Sequence, residues 1–208
     1  MSRRTLTVVS AGLSQPSSTR LLGDRLAVAA QHVLELRGHD TVVEVVELRD
    51  LAHDITDHLL TGFPSVKLRA AIDGIVAADG LIAVSPIFTA SYSGLFKSFF
   101  DVLEADALAG KPMLVAATGG TERHSLALDH ALRPMFAYLR AVVVPSGVYA
   151  ATSDWGSGEA TEGHDEGLAA RIDRAAGELA DLVDTGKASG PVDPFDEPTP
   201  FEQLLQRR

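Results

Sequence analysis

The chain has 208 residues, 46% hydrophobic and only 6% aromatic, enough apolar material for one α/β domain with small residues at its helix–sheet contacts. A net charge of −10 and a pI near 5.1 exclude a general nucleic-acid binder or a protein docking on anionic lipid, both of which need a basic face. The absence of cysteine excludes disulfides, thiolate catalysis and iron–sulfur clusters.

Residues 6–10 (LTVVS) predict a short buried strand. No signal-peptide core follows the two N-terminal arginines, and no apolar run approaches transmembrane length, so the expected location is the cytoplasm, without a membrane partner. Leu22, Leu26, Ala29, Val33 and Leu36 fall on one helical face, closed by Gly38. Residues 41–48 (TVVEVVEL) predict a second strand, and 49–63 an irregular loop with one helical turn. Pro64 opens a helix over 65–78, and 81–85 (LIAVS) predicts a third strand that Pro86 stops. A helix follows over 91–104, a fourth strand over 113–118, and a helical segment over 125–140 in which Pro134 marks a kink or a second piece. A fifth strand is expected over 141–148 and a last helix over 168–183.

Strands apolar on both sides of the pleat, alternating with amphipathic helices, imply a parallel sheet covered on both faces. The fold expected is an α/β three-layer sandwich of the flavodoxin-like kind, with five parallel strands in the order 2-1-3-4-5, over residues 1–186. Residues 152–165 predict a long polar loop. The Pro-rich tail over 187–208 reads either as disordered or as an arm that docks Phe195, Phe201 and Leu204 on a neighbouring subunit.

Ligands of such sheets bind beyond the C-terminal strand ends. Strand one empties into Ser10, Ser14, Ser17, Ser18 and Thr19, with Pro16 setting the turn and Arg20 the one cation. At a helix N-terminus these hydroxyls suit a single terminal phosphate, where plain N-capping would need only one. Neither GxxxxGK[ST] nor GxGxxG is present. Strand three ends in Pro86, Ile87, Phe88, Thr89, Ser91 and Tyr92, where Phe88 and Tyr92 can wall a planar ligand and Ser91 or Ser93 can cap the next helix. Strand four ends in Thr118, Gly119 and Gly120, whose backbone can approach a ligand closely, followed by Arg123 and His124. The cluster His53, Asp54, Asp57 and His58 is not HExxH and reads as a solvated loop. No G-x-S-x-G follows a strand, against a serine hydrolase, and the ends of strands one and three lack the acidic residues of a phospho-receiver.

At these three loops the chain resembles the NAD(P)H-dependent FMN reductases of the flavodoxin-like superfamily, over about residues 6–149. "SQPSSTRLL" resembles their phosphate loop, "SPIFTASYSGLFKSFFD" their P-x-[FY]-x-x-S-[FY]-[ST]-G-x-[FL]-K segment, and "ATGGTERHS" their third flavin loop. Within the family it is most similar to actinobacterial-type enzymes associated with luciferase-like monooxygenases. The family's GSxR-x-x-S-x-N pattern is altered: Leu13 and Gln15 replace its Ser and Arg, and the chain contains no Asn.

The resemblance implies FMN as cofactor, NADPH or NADH as hydride donor to flavin N5, and no acid–base dyad. Residues 87–91 would hold N5 and the dimethylbenzene edge, amides around Gly119 and Gly120 the charge at N1 and C2, and Arg123 the NAD(P)H phosphates. It further implies a homodimer or homotetramer, with a flavin-dependent monooxygenase as recipient of reduced flavin. The same fold and cofactor also suit a quinone or azo reductase, or a flavodoxin-type electron carrier.

Overall fold

The β-branched segments pair as central parallel strands. The computed structural model describes residues 2–155 and 167–185, so the tail over 187–208 and the remainder of the polar loop past Trp155 lie outside the described residues. β1 (Arg3–Ser10) is flanked by β2 (Asp40–Glu47) and β3 (Gly80–Phe88). A two-residue strand, β4 (Ser91–Tyr92), folds back antiparallel on β3, and β3 pairs in parallel with β5 (Pro112–Gly119). β6 (Val142–Val143) and β7 (Val148–Ala151) share the far edge of β5. The expected order is therefore found, with the fifth position filled by two fragments and the expected five strands becoming seven among the described residues.

The two-residue period of the strands divides the core. Val8, Ile82, Val84, Leu114 and Ala116 face α1 (Ser18–Leu36) and α6 (Leu168–Thr185). Val9, Leu81, Ala83, Met113 and Val115 face the other layer, made of α2 (Ala52–Thr61), α3 (Val66–Ala77), α4 (Gly94–Asp101) and α5 (Arg133–Tyr138). All ten side chains have no solvent exposure, and burial of each Val, Leu, Ile or Met is worth about 1.5–3 kcal/mol.

Three expectations need correction. Residues 49–63 are largely helical: Leu48, Leu51 and Ile55 bury in one line, and the hydrophilic residues between them conceal that stripe. His53 to His58 thus lie on α2, and among the described residues no three His, Cys, Asp or Glu side chains gather to hold a metal ion.

Pro86 does not end β3. Ala11 N–H donates to Val84 O at 3.0 Å, so even-numbered residues of β3 turn their backbone toward β1, whose last pair is Ser10 with Val84. The missing Pro86 N–H therefore points past the end of β1, where no ladder remains, while Pro86 still stands opposite Thr118 of β5.

The fifth strand breaks at Pro145 and Ser146. Arg133 donates to the carbonyls of Val144 (2.7 Å) and Pro145, and Glu178 accepts from Ser146 N–H and Oγ, both at 2.7 Å. The segment 125–140 is in two pieces, as Pro134 implies: a π-helical turn, Leu128–Leu132, precedes α5, with Pro134 in the first turn of α5.

Lys111 enters the core just before β5, only 4% exposed. Its ammonium donates to the carbonyls of Val76 (2.7 Å) and Ala78 at the C-terminus of α3. Burial lowers its pKa, and Asp79 opposes that shift. Lys111→Met strips two carbonyls of their donor and is expected to destabilise the fold by about 1–3 kcal/mol, read from urea unfolding.

Candidate functional site

The C-terminal strand ends meet in a groove of about 520 Å³, the size of a small-ligand site. Leu13, Ser14, Ser18 and Thr19 line it from loop one, Pro86, Ile87 and Phe88 from loop two, and Thr118, Gly119 and Gly120 from loop three. Thr152 and Trp155 complete it. No lysine or arginine is among these residues.

Loop one is shaped by α1. Ser17 is its N-cap, Oγ accepting from Arg20 N–H at 3.2 Å, and Ser18 opens the first turn, which holds no acidic residue. First-turn amides lack intrahelical acceptors and carry the positive end of the dipole. A Cβ on Gly12 would lie 2.0 Å from Ser17 Oγ and 3.2 Å from Thr19 Cβ, so the loop folds back tightly there. Arg49 braces it by donating to the carbonyls of Leu13 (3.3 Å) and Ser14 (3.4 Å).

Arg20 is not a ligand-facing cation. It pairs with Asp24 (2.8 Å) and Glu47, and the Asp24 hydrogen bond leads the upward shift of its pKa. Ser10 is 1% exposed, its Oγ without a partner, and it lies below the groove rather than in its lining.

Loop two is a hairpin in which Phe88 pairs with Ser91. The two residues between them, Thr89 and Ala90, take φ of 50° and 66°, left-handed backbone that costs about 1–2 kcal/mol per non-glycine residue. The base is fixed by buried serines: Ser85 Oγ donates to Pro86 O and accepts from Ser93 N–H, each at 2.9 Å. Ser93 rather than Ser91 caps α4, accepting from Phe96 N–H at 3.1 Å.

Phe88 stands in the groove, 48% exposed, as a ring wall should. Tyr92 does not. It packs on Phe96, centroids 5.9 Å apart, and lines a separate cavity with Phe100, Pro134 and Met135. Thr89 and Ser91 are also outside the lining.

Loop three is set from beneath by Tyr149. Its hydroxyl donates to Thr121 O at 2.7 Å and would lie 2.0 Å from a Cβ on Gly119. Glycine at 119 thus makes room for a tyrosine of β7, whereas a Cβ on Gly120 meets nothing within 4 Å. Burial raises the Tyr149 pKa, and Asp154 adds to it. Arg123 lies in an exposed turn, Glu122–His124, next to the lining.

One hydrogen bond joins loops one and three: it runs between the Oγ1 atoms of Thr19 and Thr118, 2.8 Å apart, with either hydroxyl able to donate and both residues buried. Hydroxyls and free amides at one end fit an oxyanion without a cation. Apolar Pro86, Ile87 and Phe88 opposite open glycine backbone fit a planar ring at the other.

Residues 5–156 match the family model of the NADPH-dependent FMN reductases. An FMN reductase (NADPH) of Pseudomonas aeruginosa is 39% identical over 174 residues, 84% of this chain and 89% of that protein. An NADH-dependent FMN reductase, SfnF, of Pseudomonas fluorescens is 39% identical over 177 residues, 85% of this chain and 90% of that protein. Among solved structures, an oxidoreductase of Corynebacterium diphtheriae is 47% identical, with a TM-score of 0.84 over 90% of this chain and 100% of its own.

Leu13, Thr152 and Trp155 are lining residues that the loop patterns do not pick out. Thr152 and Trp155 follow the last strand, so the rule that pointed to the other rims applies to this one too. Removing the hydroxyl that holds loop three is expected to loosen it: Tyr149→Phe weakens flavin binding about three- to tenfold by fluorescence titration, with a loss near 1 kcal/mol in stability.

Proposed function

The chain belongs to the NADPH-dependent FMN reductase family and is an oxidoreductase that uses a reduced nicotinamide and FMN, and we propose that the groove at the C-terminal sheet edge is where it works. The observation that carries the assignment is the pairing, in one groove, of a hydroxyl-lined helix N-terminus with apolar Pro86–Phe88 and open Gly120. When bound there, FMN supplies the redox chemistry, accepting a hydride from reduced nicotinamide.

The chain's own residues bind, orient and shield. Ser14, Ser17 and Ser18, with first-turn amides of α1, donate to the phosphate. Pro86, Ile87 and Phe88 cover the ring and keep water from it. On this reading, backbone N–H groups around Gly119 and Gly120 meet negative charge on the ring's pyrimidine edge. Arg123, on the exposed turn beside Gly120, is the cation for the phosphates of the nicotinamide dinucleotide. No charged pair locks the phosphate end, which suits a flavin that exchanges and passes reduced to a flavin-dependent monooxygenase. The reading includes a homodimer or homotetramer, for which exposed Phe63, Val66 and Tyr138 offer apolar surface.

Aerobic oxidation of NADPH, then NADH, followed at 340 nm, is expected to scale with added FMN. Oxidation only with a quinone present, or FMN binding without turnover, would overturn it. A second experiment addresses the phosphate end alone. Ser18→Asp places a negative charge in the first turn of α1, where it suits the helix but repels a phosphate. FMN affinity should fall at least about tenfold while riboflavin, which has no phosphate, stays within about twofold.

A further inference from the structure

We propose that Trp155 is a specificity-determining wall of the groove, admitting a flavin that ends in a phosphate and turning away one whose phosphate carries a further nucleotide. The inference rests on the reading of the groove as an FMN site.

Trp155 is the chain's one tryptophan. It ends the turn Thr152–Trp155, which leaves β7 at the rim where Ala151 pairs with Gly119. That turn is pinned. The Asp154 carboxylate accepts from Ala151 N–H at 2.7 Å and pairs with Arg171, which also donates to Tyr149 O at 2.8 Å. The indole is held too. It packs on the apolar layer shared with α1 and α6, and the Arg25 guanidinium lies 5.1 Å from its ring centroid.

Its position follows from the helix. Ser18 and Arg25 are seven residues apart, two turns along one face of α1. Contact with Arg25 therefore sets Trp155 beside the face of α1 that carries Ser18, at the phosphate end of the groove rather than the ring end at Phe88 and Gly120. A phosphate monoester needs only donors there. A phosphodiester needs an exit for its second nucleotide as well, and a large, rigid, anchored ring fills that space.

The test is equilibrium titration of the full chain with FMN, FAD and riboflavin, read by flavin fluorescence. Wild type, Trp155→Ala, Trp155→Phe and Arg25→Met are compared, each checked for folding by thermal melting. Trp155→Ala is expected to lower the ratio of the FAD to the FMN dissociation constant at least about tenfold, Trp155→Phe by no more than about threefold, and Arg25→Met by an intermediate factor. Riboflavin, which has no phosphate, reports what each substitution does to the groove itself, and the FAD and FMN constants are read relative to it. Should Trp155→Ala fail to fold, Arg25→Met carries the test by the same shift. An unchanged ratio in folded variants overturns the proposal, and so does a shift toward FMN, which would make the indole a stacking partner for the second nucleotide. Wild type that binds no flavin defeats the reading of the groove itself, a result distinct from either.

Discussion

The buried hydrogen bond between Thr19 and Thr118 is the constraint on which the groove depends. The two residues belong to the first turn of α1 and to β5, with β3 lying between β1 and β5 in the sheet. Each hydroxyl is shut away from water, so neither can lose the other without an orphaned polar group worth about 1–3 kcal/mol. The bond therefore fixes the start of α1 against loop three. The start of α1 and the backbone of loop three are held at one spacing by a contact within the groove's own lining.

On the proposed reading, that constraint bears on how a protein of net charge −10 would hold an anion in a groove lined by no lysine or arginine. Arg20, the one cation in loop one, is spent on Asp24 and Glu47, which tie α1 to the end of β2. Arg49 is turned to the carbonyls of Leu13 and Ser14. Both arginines shape the loop from outside. What remains for an anion is the dipole of a 19-residue helix, its first amides and the hydroxyls of Ser14 and Ser18 in the lining, all of them short-range. Binding of this kind discriminates by shape and hydrogen bonding more than by attraction at a distance.

Much of this was legible in the sequence, for a physical reason. Strands buried on both faces are apolar at nearly every position, and residues 81–84 and 113–117, with 6–9 apart from Thr7, show it. Their order and the rule of C-terminal strand ends put three loops on one rim, where ten lining residues are found. What the sequence hid was orientation. Tyr92 and Phe88 are both aromatic and sit four residues apart, yet they lie on either side of the Thr89–Ala90 turn and line different cavities. Pro86 fits a strand because of the parity of its missing N–H, which depends on where the neighbouring strand stops. The helical turns over 48–61 are hidden in the sequence because burial of Leu48, Leu51 and Ile55 outweighs a mostly polar composition.

Gly119 shows how such hidden geometry changes the meaning of a motif. In sequence, Gly119-Gly120 reads as backbone cleared for a ligand, yet the two glycines serve different ends. Gly119 yields its Cβ space to the Tyr149 hydroxyl, which anchors Thr121 O, while Gly120 alone faces open space. The groove's polar edge is thus propped on the β7 side by the Tyr149 hydroxyl. On the facing side, the strained Thr89–Ala90 turn holds Phe88 at the rim, and strain survives in a fold only where the surroundings over-determine it. Here Ser85 and Ser93 do so from within the hairpin base. One wall is fixed by a prop and the other by tension, and a planar ligand between them meets two surfaces that were shaped before it arrived.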